Sequence, residues 1–133
     1  MREYIKTCIQ DSIDTKRRLY ENEELLDKIE AAATACITAY KAGGKVLACG
    51  NGGSASDAQH LVGELVGRYK IERFGIAAIA LNSNVAVMTA LGNDYSYDEI
   101  FSKQVRALGK KSDVLFGIST SGNSAHRCRR RTS

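Results

Sequence analysis

Proline and tryptophan are absent from this 133-residue chain, and neither absence carries functional meaning. Other absences exclude more. No uninterrupted apolar stretch approaches the ~20 residues of a membrane-spanning helix, so no membrane association is expected. The N-terminus, MREYIKTCIQDS, lacks the apolar core of a secretory signal, and the sequence predicts a soluble, cytoplasmic chain. The four cysteines, Cys8, Cys36, Cys49 and Cys128, form no CxxC pair, and three of them fall in apolar-periodic segments. Buried free thiols in a reducing compartment are expected rather than a disulfide framework. A one-signed surface is missing too. Net charge is +4, and Arg127, Arg129, Arg130 and Arg131 supply all of it. The basic balance therefore describes a tail, and no nucleic-acid partner is expected for the rest.

What is present reads as one globular domain: 44% apolar and 26% charged residues. Ile5, Cys8/Ile9, Ile13 and Leu19 have helical spacing over residues 3–20. Leu25/Leu26, Ile29, Ala32/Ala33, Cys36/Ile37 and Tyr40 mark a second helix, stopped by Gly43-Gly44. Two such helices carry more apolar face than one small sheet needs, and a partner subunit is a reasonable receiver for it. From Lys45 the period changes. KVLACG (45–50) reads as a buried parallel strand, 54–68 as a helix capped by Ser54, and 75–81 as a second strand. Short helices at 84–91 and 97–108 precede a third strand at 113–119. This order predicts an α/β layered domain with a mostly parallel sheet. An open parallel edge in so short a chain also predicts marginal stability.

Open α/β sheets place ligands at the carboxyl ends of their strands. The first strand ends in Gly50-Asn51-Gly52-Gly53-Ser54, a loop that lets backbone approach a ligand or simply makes a tight turn. It also matches a loose dinucleotide fingerprint at Gly50, Gly52 and Ala55. That reading needs an acid near the end of the second strand, where Asn82-Ser83-Asn84 stands instead. The third strand ends in Ser119-Thr120-Ser121-Gly122-Asn123-Ser124, whose hydroxyls and amides can hold phosphate oxygens without a cation. No Gly-Lys-Ser/Thr follows, so this is not a P-loop, and a monoester phosphate suits it better than a triphosphate. His60 and Glu64 share a helix face, as two metal ligands, an acid/base pair or an ordinary surface contact. Gly92-Asn93-Asp94 reads as a turn whose side chains can reach a sugar hydroxyl.

Together, KAGGKVLACGNGGSASDAQH, LVGELVGRY, ALGNDYSYDEIFSKQV and DVLFGISTSGNSA closely resemble the sugar isomerase (SIS) domain, and within it the phosphoheptose isomerases. The resemblance implies a flavodoxin-like SIS domain over 1–125, with N-terminal helices in 1–42 and an α/β core in 45–125, followed by an Arg-rich non-family tail at 126–133. It implies an aldose–ketose isomerase that converts sedoheptulose 7-phosphate to a manno-heptose 7-phosphate on the way to ADP-heptose and lipopolysaccharide. Asn51, Gly52, Gly53, Asn93 and Asp94 would line the substrate, and Ser119, Thr120, Ser121 and Ser124 would hold its phosphate. His60 and Glu64 would bind zinc, with Glu64 also the acid/base residue. A homotetramer is implied.

The chain departs from that pattern in two places. Phe74 replaces the usual proline of an Arg-Pro-Gly turn, and the late Gln and His of the family have no counterpart. The chain is accordingly expected to be incomplete at its C-terminus and to have little activity alone. A non-catalytic SIS protein that senses a sugar phosphate or binds a replication initiator is the alternative. A tail-driven nucleic-acid binder ranks last.

Overall fold

Val46–Cys49 (β1) is buried at all four positions and forms the middle of a parallel sheet. The structure, a computed structural model, describes residues 1–122. Ser124, His126, Cys128 and the arginine cluster lie outside the described residues. The chain divides into two compact units, Met1–Ala35 and Cys36–Ser133.

The first unit holds helix α1 (Arg2–Tyr20) and most of α2 (Glu23–Lys41). Asn22 accepts from the Leu25 N–H at 3.0 Å, satisfying one of the orphan donors that open α2. Exposed pairs one turn apart, such as Lys6–Glu3 and Arg17–Asp14, add little stability. None of the residues of α1 is buried, and Ile5, Ile9 and Ile13 are each about half exposed. The predicted apolar stripe is there, with its surplus face uncovered.

In the second unit, α2 ends at the predicted glycine pair and β1 follows. Helix α3 (Gly53–Val66) leads to β2 (Ala78–Ala80), then to α4 (Val85–Asp94), a 3-10 turn (Tyr97–Glu99), α5 (Ile100–Leu108) and β3 (Val114–Gly117). The sheet order is β2-β1-β3, parallel throughout, with Val46 beside Ala78 on one side and beside Val114 on the other. Side chains alternate across a strand. Leu47 and Cys49 accordingly join Leu81, Ile100 and Phe101 in one core, against which Met88, Leu91 and Val105 pack. Burying Leu47 alone is worth about 2 kcal/mol. On the opposite face α3 packs against β1 and β2, burying Ser54 and Ala58.

Several expectations shift. The predicted strands are shorter; β2 begins at Ala78 because the Ile76 N–H is held by the Leu65 carbonyl of α3 at 2.9 Å. Ser54 is not the cap of α3. The helix starts at Gly53 with Gly52 as its N-cap, makes no side-chain cap bond, and buries Ser54 in its first turn. Gly92-Asn93-Asp94 closes α4 rather than separating two helices. Cys8 and Cys36 are free thiols as expected, yet neither is buried; Cys8 faces outward, and of the described cysteines Cys49 alone is buried. Burial raises the Cys36 thiol above its ordinary pKa. Tyr40 is raised too, first by burial and then by Cys36, against the charge of Arg73.

At the amino ends of the strands Asp113 fastens β3 to β1. Its carboxylate accepts from the Lys45 N–H at 2.9 Å, the Lys45 ammonium at 2.6 Å and the Lys110 N–H at 2.8 Å. Lys45 also donates to the Leu108 carbonyl at 2.9 Å. Burial opposes ionisation of Asp113, but the Lys45 side-chain bond, the Lys110 and Lys45 N–H groups and the Lys45 charge outweigh it. The carboxyl is held below its ordinary pKa.

Candidate functional site

Three parallel strands must end at one edge of the sheet, and that edge carries three polar loops. The connection from β1 to β2 leaves in one direction, and the return to β3 crosses to the other side of β1. The ends of β1 and β3 therefore flank the switch point, where open α/β sheets bind ligands. Both loops singled out in the sequence lie there.

The first loop is shaped by two glycines for different reasons. A Cβ on Gly50 would collide with the Ser54 backbone, so α3 can begin this close to the strand only above a glycine. Gly52 sits at φ 58°, a backbone state other residues rarely adopt. Asn51 lies between them, half-buried, with its carbonyl accepting from the Ser54 N–H at 3.1 Å. Its side-chain oxygen accepts from the Tyr97 hydroxyl at 2.9 Å.

The second loop continues the ladder for one more bond, Ile118 N–H to the Cys49 carbonyl at 2.9 Å, and then turns. Ser119, Thr120 and Ser121 follow, all exposed, and the Gly122 N–H donates to the Ser119 hydroxyl at 3.1 Å. Ser124, the fourth predicted phosphate ligand, lies outside the described residues.

At the tip of β2, Asn82, Ser83 and Asn84 serve the fold. Asn82 donates to the Ala55 carbonyl at 3.1 Å, Ser83 to the Ala80 carbonyl at 2.7 Å, and Asn84 caps α4 by accepting from the Val87 N–H at 3.1 Å. Asn93 and Asp94, in the last turn of α4, are exposed and hydrogen-bonded to each other at 3.0 Å. The Tyr97 bond to Asn51 ties the segment just beyond that pair to the glycine loop.

His60 and Glu64 occupy one face of α3, as their spacing predicts, with His60 Nε2 and Glu64 Oε1 3.2 Å apart. His60 is largely exposed and the Glu64 side chain is 38% exposed. Glu64 is ten residues beyond Ser54, about 15 Å along the helix. Glu64 therefore stands toward the far end of α3 from the glycine loop. For zinc, the imidazole and carboxylate have suitable donor chemistry, but a zinc site needs three or four protein ligands. Among the described residues no third His, Cys, Asp or Glu joins them.

Three structural contributors had little sequence signal. Arg73 donates to the Glu64 carbonyl at 2.6 Å and the Leu65 carbonyl at 2.9 Å, closing the end of α3 with a guanidinium. Gln104 is buried and donates to the Leu81 carbonyl at 2.8 Å, holding the tip of β2; a polar residue four after Ile100 on a core-facing stripe was its only hint. Tyr97 looked like any residue at the start of a short helix. Among the described residues no helix is long and apolar enough to cross a membrane.

Known proteins share this fold. The family model of the SIS domain matches residues 9–128. A phosphoheptose isomerase of Sulfurimonas denitrificans is 48% identical over 124 residues, covering 93% of this chain and 64% of that protein. One from Shewanella loihica is 53% identical over 126 residues, covering 95% and 63%. Among solved structures, the phosphoheptose isomerase of Neisseria gonorrhoeae superposes with a TM-score of 0.85 at 45% identity, over 94% of this chain and 64% of that one. That of Francisella tularensis gives 0.86 at 41% identity, over 93% and 64%. The chain thus spans slightly less than two thirds of the length of these relatives. It belongs to the SIS domain family and is homologous to the phosphoheptose isomerases along most of its length.

Proposed function

We propose that this chain binds sedoheptulose 7-phosphate and carries part of the machinery that isomerises it to D-glycero-D-manno-heptose 7-phosphate, in the cytoplasmic synthesis of ADP-heptose. One observation carries the reading. The glycine loop after β1 and the hydroxyl loop after β3 stand on neighbouring strands at the switch point of the sheet. Ser119, Thr120, Ser121 and the adjoining Ser124 would take the phosphate, while Asn51, Gly52, Gly53, Asn93 and Asp94 would face the sugar. Phosphate binding, remote from the reacting carbons, supplies energy that positions the sugar.

The chemistry needs a base at the first two carbons. A carboxylate such as Glu64 takes a proton from C1 of the ketose. The C–H electrons form a C1–C2 double bond, and the C2 oxygen gains a proton to give an enediol. Returning a proton to C2, with loss of the O1 proton, leaves the aldehyde at C1. Hydrogen-bond donors beside the developing oxyanion lower the barrier. His60 and Glu64 would be two ligands of a zinc ion, with the rest of the set coming from outside the described residues.

The rise of about 15 Å along α3 between Ser54 and Glu64 supports a pocket shared between subunits. The uncovered Ile5, Ile9 and Ile13 stripe supports the same homotetramer, because a helix with no buried residue gains stability only when something covers its apolar face. Calorimetric titration tests the reading. Sedoheptulose 7-phosphate should bind saturably, unphosphorylated sedoheptulose should not, and Ser121→Ala should weaken binding about fivefold, the value of one or two lost hydrogen bonds. Equal affinity for the two sugars would overturn it.

A further inference from the structure

The bond from Tyr97 to Asn51 joins two parts of the candidate site 46 residues apart in sequence. Tyr97 opens the 3-10 turn three residues after Asp94, and Asn51 stands at the tip of the central strand. Asn51 has two chemically opposite ends. Its oxygen accepts and its NH2 donates, and rotation about the Cβ–Cγ bond exchanges them. The Tyr97 hydroxyl donates to the oxygen, and among the described residues the Asn51 NH2 donates to nothing. The amide is therefore locked with its donor end available to a ligand oxygen.

We propose that Tyr97 is a positioning residue that orients the Asn51 amide, and through it sets recognition of the sugar rather than of the phosphate. This rests on the sugar-phosphate reading above. The division follows from the placement of the loops. The hydroxyls after β3 serve an anion, while Asn51 lies across the switch point on β1, tethered to the segment that carries Asn93 and Asp94. Without the Tyr97 hydroxyl, both amide orientations become accessible, and one of them turns an acceptor toward an oxygen-rich ligand. Tyr97 itself need not touch the sugar.

Tyr97→Phe removes one oxygen and keeps the ring. Titrated with sedoheptulose 7-phosphate, this variant should bind about fivefold more weakly than the wild type, as expected for one hydrogen bond. Its affinity for inorganic phosphate should stay within about twofold by the same measure. Asn51→Ala should lose at least as much for the sugar phosphate, and the double variant no more than Asn51→Ala alone. Asn51→Asp supplies an independent arm, because it keeps an acceptor for Tyr97 and removes the NH2; its added charge weakens binding of both anions, and the loss for the sugar phosphate should be the larger. In the absence of any ligand, the Asn51 side-chain amide resonances should shift in Tyr97→Phe.

Wild-type affinity in Tyr97→Phe, or equal weakening for both ligands with a lowered melting temperature, would overturn the proposal and leave the sugar-phosphate reading standing. Failure of the wild-type chain to bind the sugar phosphate would overturn both.

Discussion

The two ends of the central strand are built on opposite rules. At its amino end, Lys45 and Asp113 bond to each other and to nearby backbone, with the Asp113 side chain only 4% exposed. At its carboxyl end, glycines bring backbone close together, and exposed hydroxyls and a half-buried amide stand at the strand tips. A buried ion pair yields stability and no chemistry. Exposed polar loops yield binding capacity at some cost in stability. In a parallel sheet the two are segregated by strand direction, because every strand enters at one edge and leaves at the other.

The largest effect is expected where the carboxyl end is most tightly packed. Gly50→Ala puts a Cβ into the Ser54 backbone, which cannot move without shifting α3; the cost should be about 3 kcal/mol in urea denaturation. Gly53→Ala, three residues on, adds a Cβ where nothing lies within 4 Å and should stay within about 0.5 kcal/mol of wild type. Equal losses would mean that the loop tolerates no side chain anywhere, and that close approach is not what Gly50 provides.

Next comes the amino end. Asp113→Asn removes the charge that Lys45 faces and should cost about 2 kcal/mol at neutral pH. The pH dependence has a definite sign. The folded-state pKa of Asp113 is depressed, so its contribution is complete above the ordinary carboxylate pKa and disappears as pH falls through the lower folded value. Denaturation midpoints of wild type and Asp113→Asn should therefore converge below about pH 4. Affinity for sedoheptulose 7-phosphate in the folded variant should not change, since Asp113 sits at the opposite edge from the loops.

How much of this contrast was legible beforehand depends on how local the causes are. Strand β1 was readable because VLAC is apolar at every position, as burial on both faces demands. The His60–Glu64 pairing was readable because helical spacing alone sets it. Ser54 misled because a serine before an apolar run satisfies the local rule for a cap, while the approach of α3 to Gly50 draws it inside. Asp113 looked like the unremarkable start of a strand, since its partner Lys45 lies 68 residues away. The bond of Tyr97 to Asn51 was invisible for the same reason. Periodicity reports which face is buried; it does not report which distant polar group meets which.

The smallest effect separates binding from folding within the carboxyl end. Ser119 accepts from the Gly122 N–H and is exposed, so Ser119→Ala should cost no more than about 0.5 kcal/mol of stability. If the loop after β3 is the phosphate cradle, the same change removes a donor and loosens the turn that aims its neighbours. Affinity for inorganic phosphate should then fall about threefold to tenfold while the melting temperature barely moves. Matched changes in both would place Ser119 with Asp113 as a residue of the fold, and the line drawn between the two ends of β1 would have to be moved.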